Sequence, residues 1–188
     1  MAAQAATLTP IAVFGASDCD RGSPLYAQAR EVGLLLARAR CRVITGGYGG
    51  VMEAASLGAR EGGGASLGIT VRAFSEARSG PNRYLTDHIE EAGLFERTAA
   101  LIGRSAGYII LRGKAGTLAE LTLVWALQRA RLQEGRPIVL LGEFWQQFLR
   151  QLTQLELVEE SQLAITSVAA TPAEAVERLL AQVRRETG

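Results

Sequence analysis

An α/β fold, a mainly parallel doubly wound sheet with helices on both faces, is predicted by three features of this 188-residue chain. Short β-branched or apolar runs alternate with longer segments of helical period, as happens when each parallel strand is followed by a crossover helix. Glycine-rich turns stand where strands hand over to helices, as in TGGYGGVMEA over residues 45–54. Ser23-Pro24 and Thr171-Pro172 each put a capping hydroxyl before a proline at the first helical position.

The first strand is expected at Ile11–Gly15, an apolar run of the kind that is buried on both faces. A helix over Pro24–Ala39 follows the Ser23 cap, then a strand at Arg42–Thr45 and a helix at Val51–Glu61 that stops at Gly62–Gly64. Ser66–Val71 reads as the third strand. Ala73 to about Leu85, containing EARSGPNRY, has no period, and a segment this long is either a flap over a site or a plain surface loop. Further on come a helix at Leu94–Arg104, a strand at Gly107–Leu111, a helix at Thr117–Leu132 and a strand at Pro137–Leu141. A helix at Phe144–Leu152, a short strand at Ile165–Val168 and a helix at Pro172–Arg185 complete the pattern.

The length suits one domain over residues 1–188, with 1–9 as a disordered lead-in. Hydrophobic residues at 48% and charged residues at 21% place the chain among folding domains and away from disordered ones. A net charge of +1, with acids and bases interspersed, leaves no basic stripe, so a nucleic-acid polymer is not an expected partner. No apolar run reaches the roughly 18 residues of a membrane span, and MAAQAATLTP lacks the basic flank and apolar stretch of a secretion signal. The expectation is a cytoplasmic protein with no membrane partner. Cys19 and Cys41 lack C-x-x-C spacing and His88 is the sole histidine, so neither a metal nor another cofactor is expected.

In an open parallel sheet, ligands bind beyond the carboxyl ends of the strands. This selects FGASDCD, TGGYGGVMEA and LRGKAGTLAE, the turns after the first, second and fourth expected strands. In the second turn, Gly46, Gly47, Gly49 and Gly50 open a helix, where backbone N–H groups and the helix dipole favour an anion such as phosphate. The alternative is a tight turn that needs glycine for its backbone angles. The spacing is not the dinucleotide fingerprint, because Met52 stands at the last glycine position. In the third turn, Thr117 and Glu120 have the spacing of a helix capping box. Alternatively, Gly113, Gly116 and the Thr117 hydroxyl cup a phosphate while Glu120, one turn in, faces the sugar that carries it. Lys114, the sole lysine against nineteen arginines, adds a cation at the rim. Ala115 after it excludes a Walker loop.

On these residues the chain resembles the LOG ("lonely guy") family, the cytokinin riboside 5′-monophosphate phosphoribohydrolases, whose older label is lysine decarboxylase. The family motif P-G-G-x-G-T-x-x-E aligns with Arg112 to Glu120, its G-G-G-x-x-G-L-M-G-like stretch with GGYGGVMEA, and its helix arginine with Arg97 in LFERTAALIGRSAGYIIL. Order and spacing agree from Ile11 to Leu141, 131 of 188 residues. Arg112 and Lys114 replace the motif's proline and second glycine, and Thr98 replaces the lysine after the helix arginine.

The resemblance implies a Rossmann-like fold and hydrolysis of the N-glycosidic bond of a nucleoside 5′-monophosphate, AMP or cytokinin-type, to free base and ribose 5-phosphate. Glu120 would stabilise the sugar cation and activate water, with Arg97 clamping ribose or phosphate and Ser17 contacting the nucleotide from the family's G-S-S-like turn. It also implies a homodimer or higher homo-oligomer, with the helix that bears Leu121 and Trp125 in the interface. Against these roles stand a surface ion pair of Arg97 with Glu96 or Glu91 and ordinary core packing of Leu121 and Trp125. Two other functions compete. A non-catalytic binder or carrier of a phosphorylated ligand, similar to molybdenum cofactor carrier proteins, is favoured by Arg112 and Lys114. A pyridoxal phosphate decarboxylase would need Lys114 as its Schiff-base lysine.

Overall fold

The computed structural model describes residues 8–72, 80–133 and 135–186. Seven strands among them form one sheet in the order β4-β3-β2-β1-β5-β6-β7. These are β1 (Thr9–Phe14), β2 (Cys41–Thr45), β3 (Ser66–Val71), β4 (Asp87–Glu91), β5 (Gly107–Ile110), β6 (Ile138–Leu141) and β7 (Thr166–Ala169). Every pairing is parallel, with Ile11 opposite Val43 on one side and Gly107 on the other.

The helices are α1 (Pro24–Arg38), α2 (Val51–Glu61), α3 (Leu94–Gly103), α4 (Ala115–Arg129), α5 (Phe144–Gln154), the short α6 (Glu160–Ala164) and α7 (Pro172–Glu186). The two-residue period of the strands sorts side chains into two cores. Ile11, Val13, Ile109 and Val139 pack under α1, α2 and α7 with Val32, Leu36, Ala55 and Leu179. Ala12, Phe14, Tyr108, Ile110 and Leu140 face the other way, under α3, α4 and α5, with Leu101, Leu121, Trp125 and Trp145. Full burial of an aliphatic side chain contributes about 1.5–3 kcal/mol, so these two layers are what hold the sheet flat against its helices.

The expected caps form. The Ser23 hydroxyl accepts from the Tyr26 amide at 3.2 Å, and Thr171 Oγ1 accepts from the Glu174 amide at 3.2 Å. Three expectations need correction. The chain enters β1 at Thr9, so residues 8 and 9 do not belong to a disordered lead-in; residues 1–7 lie outside the described residues. β4 was not foreseen, because Asp-His-Ile-Glu-Glu has weak strand propensity and only Ile89 and Glu91 are even half-buried. It is an edge strand, where charge protects exposed backbone groups from pairing with other chains. α4 begins at Ala115, not Thr117, and Lys114 is its N-cap residue with no side-chain capping bond. Thr117 and Glu120 therefore sit inside the helix and form no capping box.

Of the segment read as a flap or surface loop, residues 73–79 lie outside the described residues. Its end is fixed to the glycine turn. The Asn82 amide donates to the Gly47 carbonyl at 2.8 Å, and its side-chain nitrogen donates to the carbonyls of Gly47 and Tyr48, each at 3.2 Å.

Candidate functional site

Strand order reverses between β1 and β5, so the crossovers from these two neighbours leave to opposite faces and a crevice opens beyond their carboxyl ends. A cleft of about 280 Å³ lies there, walled by the β1 turn (Gly15 to Asp18), Tyr48 and Met52 after β2, Leu94 and Arg97 of α3, and Lys114, Gly116, Thr117 and Glu120 after β5. Side chains more than 100 positions apart in sequence thus face one space.

Arg97 is 8% exposed, so it is buried and does not lie on the surface. Its Nε donates to the Ile69 carbonyl at 2.7 Å and one terminal nitrogen donates to the Gly46 carbonyl at 3.2 Å. Its guanidinium carbon lies 5.7 Å from the centre of the Tyr48 ring, within cation–π range. The first turn of α3 supplies the side chain, and the ends of β2 and β3 aim it. Gly46 makes this geometry available, since a Cβ there would lie 1.7 Å from the guanidinium.

Glu120 lies one turn and a half into α4, partly exposed toward the cleft. Among the described residues its carboxylate accepts no hydrogen bond. Burial raises its pKa from 4.5 to about 7, with the charge of Arg97 acting in the opposite direction. A carboxyl tuned to neutrality is suited to proton transfer at physiological pH.

At the head of α4 the first helical hydrogen bond runs from the Leu118 amide to the Lys114 carbonyl at 3.1 Å, which leaves the amides of the first turn pointing outward beside Gly116 and Thr117. Gly113 does not line the cleft. A Cβ on it would stand 2.1 Å from Thr117 Oγ1, so its absence lets the threonine fold back over the turn. Lys114 Nζ is paired with the Asp18 carboxylate, joining the turns after β1 and β5 across the mouth of the cleft. Both side chains are largely exposed, at 78% and 57%. The lysine accordingly holds Asp18 below the ordinary carboxylate range.

The glycines of the second turn divide. Gly49 lines an adjoining cleft of about 660 Å³ that shares Ser17 and Tyr48 with the first. Gly46, Gly47 and Gly50 are buried and line neither. Gly47 and Gly50 have φ of 79° and 66°, and a Cβ on Gly50 would lie 2.4 Å from the Ala16 carbonyl oxygen. Their structural work is to let the β2 turn pass against the β1 turn and β3. Leu121 and Trp125 are 0% and 3% exposed within one chain, and the Trp125 indole N–H donates to Thr166 Oγ1 at 3.0 Å. Asp18, Tyr48, Met52, Leu94 and Asn82 join the surroundings without having been singled out. Asp18 and Tyr48 stood inside the selected turns, but only packing distinguishes them from their neighbours.

Among the described residues, no helix is long and apolar enough to cross a membrane, and no three His, Cys, Asp or Glu side chains cluster as a metal site.

Fold and cleft together define a parallel α/β protein with a ligand crevice at its topological switch point. The chain belongs to the SLOG cluster4 family, whose sequence profile matches residues 8–176, and the resemblance to LOG proteins holds at that level. It is 32% identical over 134 residues to an uncharacterized protein of Archaeoglobus fulgidus, covering 70% of this chain and 78% of that one. It is similar in fold to the molybdenum cofactor carrier protein MCP from Chlamydomonas reinhardtii, with a TM-score of 0.74 and 24% identity over 95% of this chain and 99% of that one. The molybdenum cofactor binding protein from Rippkaea orientalis gives a TM-score of 0.73 and 24% identity over 94% and 98%.

Proposed function

We propose that this protein hydrolyses the N-glycosidic bond of a nucleoside 5′-monophosphate, releasing the base and ribose 5-phosphate. The observation that carries the reading is the convergence of Arg97, Thr117 and Glu120 on one cleft beside the open head of α4. The phosphate monoester sits against the first-turn amides of α4, with Gly116, the Thr117 hydroxyl and Ser17 around it and Lys114 at the rim. That anchorage places the ribose over Glu120.

The bond from C1′ to the base nitrogen breaks as positive charge gathers on the sugar. The Glu120 carboxylate faces that charge and takes a proton from the water whose oxygen bonds to C1′. The departing base takes a proton from solvent and Glu120 returns the one it took to solvent, so one water is consumed overall. Arg97 remains protonated throughout and acts as a fixed cation, offsetting charge that builds on the base or clamping the phosphate. Remote binding energy from the phosphate holds the sugar in position for this chemistry.

A carrier reading is favoured by one observation, the Lys114–Asp18 pair across the mouth, in a position where the LOG motif has glycine. Such a latch suits retention of a phosphorylated ligand. The discriminating experiment incubates purified protein with AMP and other nucleoside monophosphates, follows free base by chromatography and runs Glu120→Ala in parallel. Base release that disappears in the variant supports hydrolysis. Tight binding with no release in the wild type overturns it in favour of a carrier.

A further inference from the structure

The larger cleft adjoins the first through Ser17 and Tyr48, and its lining includes Arg21, Glu53, Asn82 and Arg83. Met52 lines the small cleft and Glu53, the next residue in the first turn of α2, lines the large one. A ligand with its phosphate at the head of α4 and its sugar over Glu120 therefore extends past Ser17 and Tyr48 toward Glu53.

Glu53 is held in an unsymmetrical way. Arg21 donates to Oε1 from Nε at 3.0 Å and from a terminal nitrogen at 2.6 Å, and the Tyr26 hydroxyl reaches the same oxygen at 3.4 Å. Oε2 has no hydrogen-bond partner among the described residues. The side chain is only 14% exposed, so three donors on one oxygen fix the carboxylate while the second oxygen keeps its acceptor capacity. An N–H of a ligand lying in the cleft can donate to that oxygen, and a hydrogen bond to a charged acceptor is among the stronger kind. The Arg21 charge is engaged by Glu53, so at this carboxylate an anionic phosphate is repelled and a neutral N–H donor is favoured; Arg83 lies on the exposed side of the cleft.

Building on the proposed hydrolase reading, we infer that Glu53 is the base-reading residue and selects nucleobases that carry an exocyclic amino group. An amino N–H donates to Oε2. A keto oxygen at the same place sets acceptor against acceptor.

AMP has an amino group at C6 and a bare N1 where IMP has a keto oxygen and an N1 proton, and the pair provides the test. Titration calorimetry with Glu120→Ala, which prevents turnover, compares AMP, IMP and ribose 5-phosphate, with and without Glu53→Gln. A hydrogen bond to a charged group predicts AMP binding about 10- to 100-fold tighter than IMP when Glu53 is present. In Glu53→Gln, whose amide can also donate, the ratio falls to about threefold or less, while ribose 5-phosphate binds as before. Equal affinity for AMP and IMP with Glu53 present overturns the inference and leaves the hydrolase reading standing. Loss of ribose 5-phosphate binding in Glu53→Gln also overturns it, by showing that Glu53 acts on the architecture of the site. Absence of binding by all three ligands refutes the nucleotide site and this inference together.

Discussion

Replacing Glu120 by glutamine tests the electrostatics of the cleft without requiring a substrate. Burial raises the carboxyl from 4.5 to about 7 in the folded chain, against the pull of Arg97. Between those values the folded protein holds a proton that the unfolded chain has released, so rising pH favours unfolding. Stability associated with Glu120 is fully present below about 4.5 and is lost as pH climbs through about 7. At about 1.4 kcal/mol per pKa unit, the whole interval amounts to about 3 kcal/mol. Glutamine is close in shape to the protonated acid and does not titrate. Urea unfolding of wild type and Glu120→Gln from about pH 5 to about pH 8.5 is expected to show the variant gaining about 2–3 kcal/mol relative to wild type, with unchanged denaturant slopes. A stability difference that stays constant across this range would mean that Glu120 titrates alike in the folded and unfolded chains, and the argument for a buried proton-transfer group would fail.

Base release from a nucleoside monophosphate is expected to rise with pH through a limb near the same value, about 7, because the carboxylate is the working form. Glu120→Ala should lower kcat by about 10²- to 10⁴-fold; a wild-type rate flat from about pH 5 to about pH 9 would remove the acid from the mechanism. Gly113→Ala pushes a methyl to 2.1 Å from Thr117 Oγ1 and should destabilise the fold by about 1–3 kcal/mol. Gly116→Ala has no atom within 4 Å of its new Cβ and should be neutral or slightly stabilising, so equal melting shifts for the two variants would contradict the turn geometry. Asp18→Asn releases Lys114 from its partner. Calorimetry with inorganic phosphate should show tighter binding than wild type, and unchanged or weaker binding would show that the pair does not restrain the lysine.

The alternation of apolar runs and helical periods was enough to place six of the seven strands, because the five interior strands are buried and largely apolar and the edge strand β7 still carries β-branched residues around Ile165–Val168. β4 escaped, since an edge strand is stabilised by its ladder to β3 and can be built from Asp87, Glu90 and Glu91. The capping-box reading of Thr117 and Glu120 went wrong for a related reason. A three-residue spacing satisfies a helix cap, and equally puts two side chains near one wall of a cleft, and sequence spacing does not distinguish them. What separated the two was the start of α4 at Ala115, set where the chain leaves β5 in an extended conformation at Lys114.

The sequence by itself determined the parallel α/β class, the Ser23 and Thr171 caps and the three turns from which ligand-facing residues come, because these follow from local periodicity and backbone chemistry. Tertiary structure alone decided that Arg97 is buried and aimed by the carbonyls of Gly46 and Ile69, that Lys114 meets Asp18, and that burial pushes the Glu120 carboxyl above its ordinary range. Those properties depend on which groups approach through space and how much water they exclude, and residues brought together by a crossover sheet have no fixed separation along the chain.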